Sequence, residues 1–179
     1  GALLYDWDNV RHIEDVEIDS AILASGYASL NEAIADIGST ETDLLITAQL
    51  SMTANATVPS TMRLVFSRGG SINQSTYTLT INGDIDAGWY QIFDGTGTVT
   101  INSPSPVKVN WWVTSGIGTA SDPWLINNFE KPIIAASSNY SAVLWATGDY
   151  KVTANTQTDT ATRAFNHYKC VGDFACRIR

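Results

Sequence analysis

Positive charge is scarce in this chain: ten Lys and Arg stand against eighteen Asp and Glu, a formal net charge of −8. Affinity for a phosphate backbone comes from cationic side chains displacing counterions, and no three basic residues stand together here, so nucleic acid is not expected as a partner. Long apolar runs are missing as well. Nothing approaches the roughly 18 residues that a membrane helix needs, and the N-terminus has no basic flank leading into an apolar stretch, so the segment reads as soluble, with neither membrane partner nor signal peptide. Lys, Glu and Leu are thin while Thr, Ser, Asn and Gly crowd the middle, which disfavours helices and suits short strands joined by tight turns. Charged residues make up 16% and hydrophobic ones 44%, enough apolar material to offset the entropy of ordering one core.

Cysteine is limited to Cys170 and Cys176, which flank KCVGDFAC. The turn residues between them suit a local disulfide, worth about 2 kcal/mol for so small a loop; free thiols and an artefact of truncation are the alternatives. A zinc site is not expected, because His167 lacks companion ligands of suitable spacing, and no metal or cofactor is implied. The basic end at Arg179 reads as the edge of a fragment or of a processed chain, and Gly1 as the remnant of a cleaved tag.

Along the chain, residues 1–40 read as an N-terminal arm and capping helix. Ser29 is an N-cap with Glu32 three residues on, Ala33, Ile34 and Ile37 share a face, and Gly38 ends the turn. Residues 41–112 change to short β runs: LLIT, QLSM, TVP, MRLVFS, GGSI, TLTI, YQIF, GTVTI and VKVNWW. Apolar residues recur at the roughly 16 to 20 residues of a solenoid coil, and 64–66, 79–81 and 99–101 are expected to stack. Gly69-Gly70, Gly83 and Gly95 fall at corners that call for positive φ. The same spacing suits an antiparallel β-sandwich, in which Asn82-Gly83 would turn a hairpin. Residues 113–179 read as a turn-rich loop over 113–121, a helix interrupted by Pro132, then further coils.

Several strings taken in order, SLNEAIADIGST, LSMTANATVPSTMRLVFSRGGSI, TLTINGDIDAGWYQIFDGTGTVTI and VKVNWWVTSG, resemble the N-terminal region of bacterial and phage-borne proteins of the pectate-lyase-like superfamily. The resemblance covers residues 29–116. It implies an all-β, right-handed parallel β-helix with a short capping helix, in an extracellular, cell-surface or virion setting, with a polysaccharide or cell-surface glycan as partner and a homotrimer as in tailspikes. Family members include polysaccharide lyases and glycoside hydrolases whose catalytic residues generally lie on later coils, so the resemblance assigns no active site here. The chain departs from the pattern where the downstream helix carries Pro132 and the acidic pair before it is reduced to Asp122.

Candidate chemistry follows from residue type. Asp84, Asp86 and Asp94 are the acids best placed for glycoside hydrolysis, which needs two carboxyls about 5 to 9.5 Å apart, and solvated turn residues are the competing reading. Trp89, Tyr90, Trp111, Trp112 and Trp124 supply flat faces that stack on sugar rings, against core or interface packing. Strand alternation sends Trp111 and Trp112 to opposite faces, one inward and one exposed. His12 and His167 match no triad signature. The function these residues point to is a non-catalytic N-terminal capping module of a carbohydrate-associated β-helix protein; a lyase or hydrolase in its own right and an oligomerising tailspike segment are the alternatives.

Overall fold

A computed structural model of the chain describes residues 21–116, 119, 121–122, 124–126, 130–137, 142–146, 149–152, 168–170 and 177–178. The expected N-terminal arm and Cys176 lie outside the described residues. Short strands dominate, and parallel sheets with few helices make this an all-β chain.

The first sheet has the order β1-β2-β5-β8, made of β1 (Ala21–Leu23), β2 (Thr42–Ile46), β5 (Met62–Phe66) and β8 (Ile85–Asp86). The second is β3 (Gln49–Ser51), β6 (Ser71–Asn73) and β9 (Phe93–Asp94); the third is β4 (Ala56–Val58), β7 (Leu79–Ile81) and β10 (Val99–Ile101). The chain visits the three sheets in the same order three times, and each visit pairs parallel with the one before. Leu44 faces Leu64, Ile72 faces Phe93 and Ile81 faces Ile101, so register partners are about 20 residues apart.

Alternation within each strand sends every second side chain inward. Leu44, Ile46, Leu64 and Phe66 are buried on the first sheet, Leu50, Ile72 and Phe93 on the second, and Val58, Leu79, Ile81, Val99 and Ile101 on the third, all in one core. The expected stack is therefore half right. The 79–81 and 99–101 runs do lie in register, but the strand beneath them is β4, while 64–66 sits on β2 in another sheet. Sequence spacing measures the length of a round without saying which of three strands in that round is the partner.

Hairpin pairing is confined, among the described residues, to β12 (Val113–Ser115) with β13 (Trp124–Ile126). That overturns the sandwich alternative, and with it the Asn82-Gly83 hairpin: β7 and β8, on either side, belong to different sheets. Asn82 instead donates its backbone N–H to Val58 O at 3.0 Å and accepts from Asn102 Nδ2 at 2.8 Å, tying three successive rounds together. The corner glycines divide into two kinds. Gly69 and Gly95 have φ of 97° and 105°, as expected, whereas Gly83 has no positive φ and is needed because a Cβ there would lie 1.9 Å from Met62 O.

Helix α1 (Leu30–Ile37) forms as its capping signals require. Ser29 Oγ accepts from Glu32 N at 3.1 Å, Glu32 Oε2 accepts from Ala28 N at 2.8 Å, and Gly38, at φ 62°, donates to Ile34 O. Leu30, Ala33 and Ile37 are buried and α1 packs on β4, the edge of the third sheet. Asn31 extends that contact, accepting from Thr53 N and donating to Ala54 O and Asn55 O.

Past the third round, β11 (Val107–Lys108) leads into a 3-10 turn over Val109–Trp112, then β12. Residues 113–115, expected as loop, are thus a strand. The expected interrupted helix resolves into β13 and a helix α2 (Glu130–Ser137), where Pro132 sits in the first turn and lacks only an N–H that would have no helical acceptor. Helix α2 packs on β10, the far edge of the sheet whose near edge α1 covers. Beyond it, β14 (Val143–Trp145) pairs with β11 and with β16 (Tyr168–Cys170), and β15 (Asp149–Val152) pairs with β13 and β17 (Arg177–Ile178), all parallel.

Two glycine substitutions test the corner geometry. Gly83→Ala forces a methyl onto Met62 O and is expected to lower unfolding free energy by about 2 kcal/mol or more in urea titration. Gly26→Ala, where a Cβ meets nothing within 4 Å, is expected to change it by less than about 0.5 kcal/mol. Equal effects would show that the corners do not approach as closely as described.

Candidate functional site

One corner lengthens with each round of the chain. The connection from the first sheet to the second is residues 47–48 in the first round, 67–70 in the second and 87–92 in the third. Extra residues at a corner are tolerated where the strands on either side keep their register, and such loops are where binding groups accumulate.

The 87–92 segment is held down from several directions. Lys108 Nζ donates to Ala87 O, Trp111 Nε1 donates to Gly88 O at 3.1 Å, Tyr90 Oη donates to Phe66 O, and Ile92 N donates to Trp111 O at 3.1 Å. Gly88 makes room for this packing, since a Cβ there would lie 2.4 Å from the Tyr90 ring. Trp89 is left at the apex, 40% exposed; among the described residues it and Leu23 are the large hydrophobic side chains that face solvent. Lys108 Nζ lies 5.4 Å from the Trp89 ring centroid, and the Arg68 guanidinium, from the corner one round below, lies 5.8 Å from that of Tyr90.

The other tryptophans differ from Trp89. Trp111 and Trp112 are 1% and 5% exposed, so the expected split between inside and outside does not occur. The physical reason is local: both lie in a 3-10 turn, where consecutive side chains are not sent to opposite faces as they are in a strand. They close the end of an aromatic column in which Phe93 lies 6.3 Å from Phe66, 6.2 Å from Trp111 and 4.9 Å from Trp112. Trp124 lies in β13, opposite Tyr150, and its side chain is outside the described residues.

The acids are distributed over two sheets. Asp86 is on β8 in the first sheet, with Asp84 just before that strand, whereas Asp94 is on β9 in the second. Asp84 lines a cleft of about 440 Å³ with Glu41, Asp43 and Arg63. Arg63 spans the cleft in a two-pronged pair with Asp43, its partner in the strand register, and that hydrogen bond raises the guanidinium pKa further. Asp94 accepts from Gln49 Nε2 at 3.3 Å and from Gly95 N at 2.8 Å. The disulfide expectation falls on Cys170, described as the last residue of β16, and on Cys176, outside the described residues.

Sequence reasoning passed over three residues that the fold makes prominent. Lys108 and Arg68 carried no motif, and their approach to Trp89 and Tyr90 depends on β11 and the 67–70 corner coming beside the 87–92 corner. Gln74 is fully buried at the corner between β6 and β7, and its side-chain amide has no hydrogen-bond partner among the described residues. No family model, curated protein or solved structure matches this chain.

Lys131 of α2 reaches Gly95 O, and burial there lowers its pKa from the usual 10.5, with the Asp94 charge partly opposing the shift. The unfolded chain then holds that proton more tightly than the folded one, so stability rises with pH in the window just below 10.5. Urea titrations between about pH 8 and about pH 10 are expected to show this rise and Lys131→Met to flatten it; an unchanged slope in the variant would count against the buried amine.

Proposed function

We propose that the chain is a non-catalytic capping module at the N-terminal end of a right-handed parallel β-helix, and that it presents a carbohydrate contact at the corner bearing Trp89. Three observations support the architecture. The chain visits three parallel sheets in fixed rotation, its rounds are of near-constant length, and α1 covers an edge that would otherwise offer unpaired strand groups. The right hand follows from the strong preference of parallel crossovers.

The carbohydrate reading rests on Trp89. An indole held in solvent costs hydration free energy, and this one is fixed by a corner pinned at Ala87, Gly88 and Tyr90, so its face is pre-organised for a flat apolar partner such as a sugar ring. A glycan of a cell surface or virion environment is the partner this reading implies, at an extracellular location. The acids stand on two sheets and one of them borders a cleft occupied by an Arg–Asp pair, so the sugar contact is assigned to recognition.

A second reading draws on the outer face of the first sheet, where Leu23, 54% exposed, lies in register with Leu45 and Leu45 with Val65. An outward apolar row of this kind favours self-association, as in a trimer.

Glycan-array binding of the intact chain is expected to be lost in Trp89→Ala, with the thermal midpoint little changed. Trp111→Ala, in contrast, is expected to cost about 3–5 kcal/mol of stability through the cavity it leaves. Retention of glycan binding by Trp89→Ala would refute the recognition site. Light scattering of wild type and Leu23→Lys separates the second reading: a trimer dispersed by the charge supports it, and a monomer in both removes it.

A further inference from the structure

The outer face of the first sheet presents two columns of side chains that run from strand to strand. Ala21, Asp43 and Arg63 are register partners in one column, and Asp84 follows them, one residue before the Ile85 that pairs with Leu64. The other column is Leu23, Leu45, Val65 and Asp86. Alternation turns both outward, because Ile22, Leu44, Leu64 and Ile85 between them pack into the core. Leu23 is 54% exposed and Leu45 and Val65 are half-buried, while α1 and α2 pack on the third sheet. An apolar strip thus lies in solvent directly beside a charged one.

Negative charge is in excess on this face. Glu41, Asp43, Asp84 and Asp86 surround the Arg63 guanidinium, which is committed to Asp43 in the two-pronged pair. Thr61 lines the same cleft as Glu41 and Asp84, and its buried hydroxyl has no hydrogen-bond partner among the described residues. A donor or acceptor entering the cleft satisfies that group. Two copies set face to face bring the same carboxylates together, and a membrane rich in anionic lipid is repelled by them. The occupant that fits is cationic as well as apolar.

Spacing selects its shape. Neighbouring strands lie about 4.8 Å apart, so a column of four side chains spans about 14 Å. Side chains three and four apart on a helix step by about 5–6 Å, and about ten helical residues cover that length. Residues on one side of an extended strand step by about 6.8 Å and fall out of phase with the column. We infer that the outer face of the first sheet docks a basic amphipathic helix of a partner protein, its apolar stripe on Leu23, Leu45 and Val65 and its Lys or Arg flank against Glu41, Asp84 and Asp86. The apolar column supplies contact area, and the carboxylates fix the direction of the helix, because they gather at the β8 end. This surface is separate from the Trp89 corner.

The test titrates the intact chain into a fluorescently labelled helical peptide of about 14 residues, with Leu at every third or fourth position and Lys along one flank, and reads anisotropy. Binding is expected and weakens as salt is raised, and the same peptide with Glu in place of Lys is expected to bind at least about tenfold less well. Leu23→Ser and Asp86→Lys, both at exposed side chains, are each expected to weaken binding of the Lys peptide about tenfold. Asp94→Asn, which removes a carboxylate from the second sheet, and Trp89→Ala are expected to leave it within about twofold. Weakening by Asp94→Asn equal to that by Asp86→Lys reduces the effect to net charge and overturns the docking face, as does undiminished binding by Leu23→Ser. Failure of the Lys peptide to bind wild type overturns it as well. So does a wild-type oligomer in light scattering that excludes the peptide and is dispersed by Leu23→Lys, an outcome that assigns the face to a second copy. No arm uses a sugar, so loss of the carbohydrate reading leaves the result standing.

Discussion

Parallel register between successive rounds is the constraint on which the rest of this molecule depends. When Leu44 pairs with Leu64, Ile72 with Phe93 and Ile81 with Ile101, each strand of two to five residues presents one to three buried side chains, too few to hold a sheet on their own. Stacked in rows, they share one core with their neighbours in all three sheets. The same register binds polar corners to one another, as in the Asn82 and Asn102 pair, and it brings backbone so close to backbone that Gly70 and Gly83 have no room for a Cβ.

A register this strict leaves freedom only at the corners and the ends. The corner between the first and second sheets grows from residues 47–48 to 67–70 to 87–92, while the strands around it keep their partners. The longest version is fastened to Phe66 O below and to Trp111 and Lys108 above, so it projects an indole without loosening the column of Phe66, Phe93, Trp111 and Trp112 behind it. Rigid support beneath and an exposed aromatic at the apex is the arrangement that makes recognition economical in entropy. At the ends, α1 packs on β4 and α2 on β10, the two outermost strands of the same three-stranded sheet.

Charge is distributed unevenly over this frame. The first sheet's outer face concentrates Asp43, Arg63 and Asp84 around a cleft, where the two-pronged Arg63–Asp43 ion pair crosses between register neighbours. The Trp89 corner has the opposite balance, with Lys108 and Arg68 beside the rings. Two candidate surfaces of differing chemistry therefore share one scaffold, with Asp84 and Asp86 at or just before β8 of the first sheet and Asp94 on β9 of the second.

Much of this was legible in the residues. The Ser29 to Glu32 spacing and Gly38 marked α1 because capping is a local interaction of backbone groups with side chains nearby in sequence, and the alternation in MRLVF marked β5 because burial of every second side chain is a property of the strand alone. Gly69 and Gly95 announced positive φ for the same reason, since steric freedom about one residue is a local matter. What only the assembled chain settled was partnership. Period-two alternation is identical in parallel and antiparallel strands, so Asn82-Gly83 reads as a hairpin until β7 and β8 are seen in different sheets. Trp111 and Trp112 read as opposed until a 3-10 turn buries both, and Lys108 and Arg68 gain meaning only beside rings about 20 residues away along the chain. Contacts between rounds depend on where the backbone returns after each circuit, and no window of neighbouring residues contains that distance.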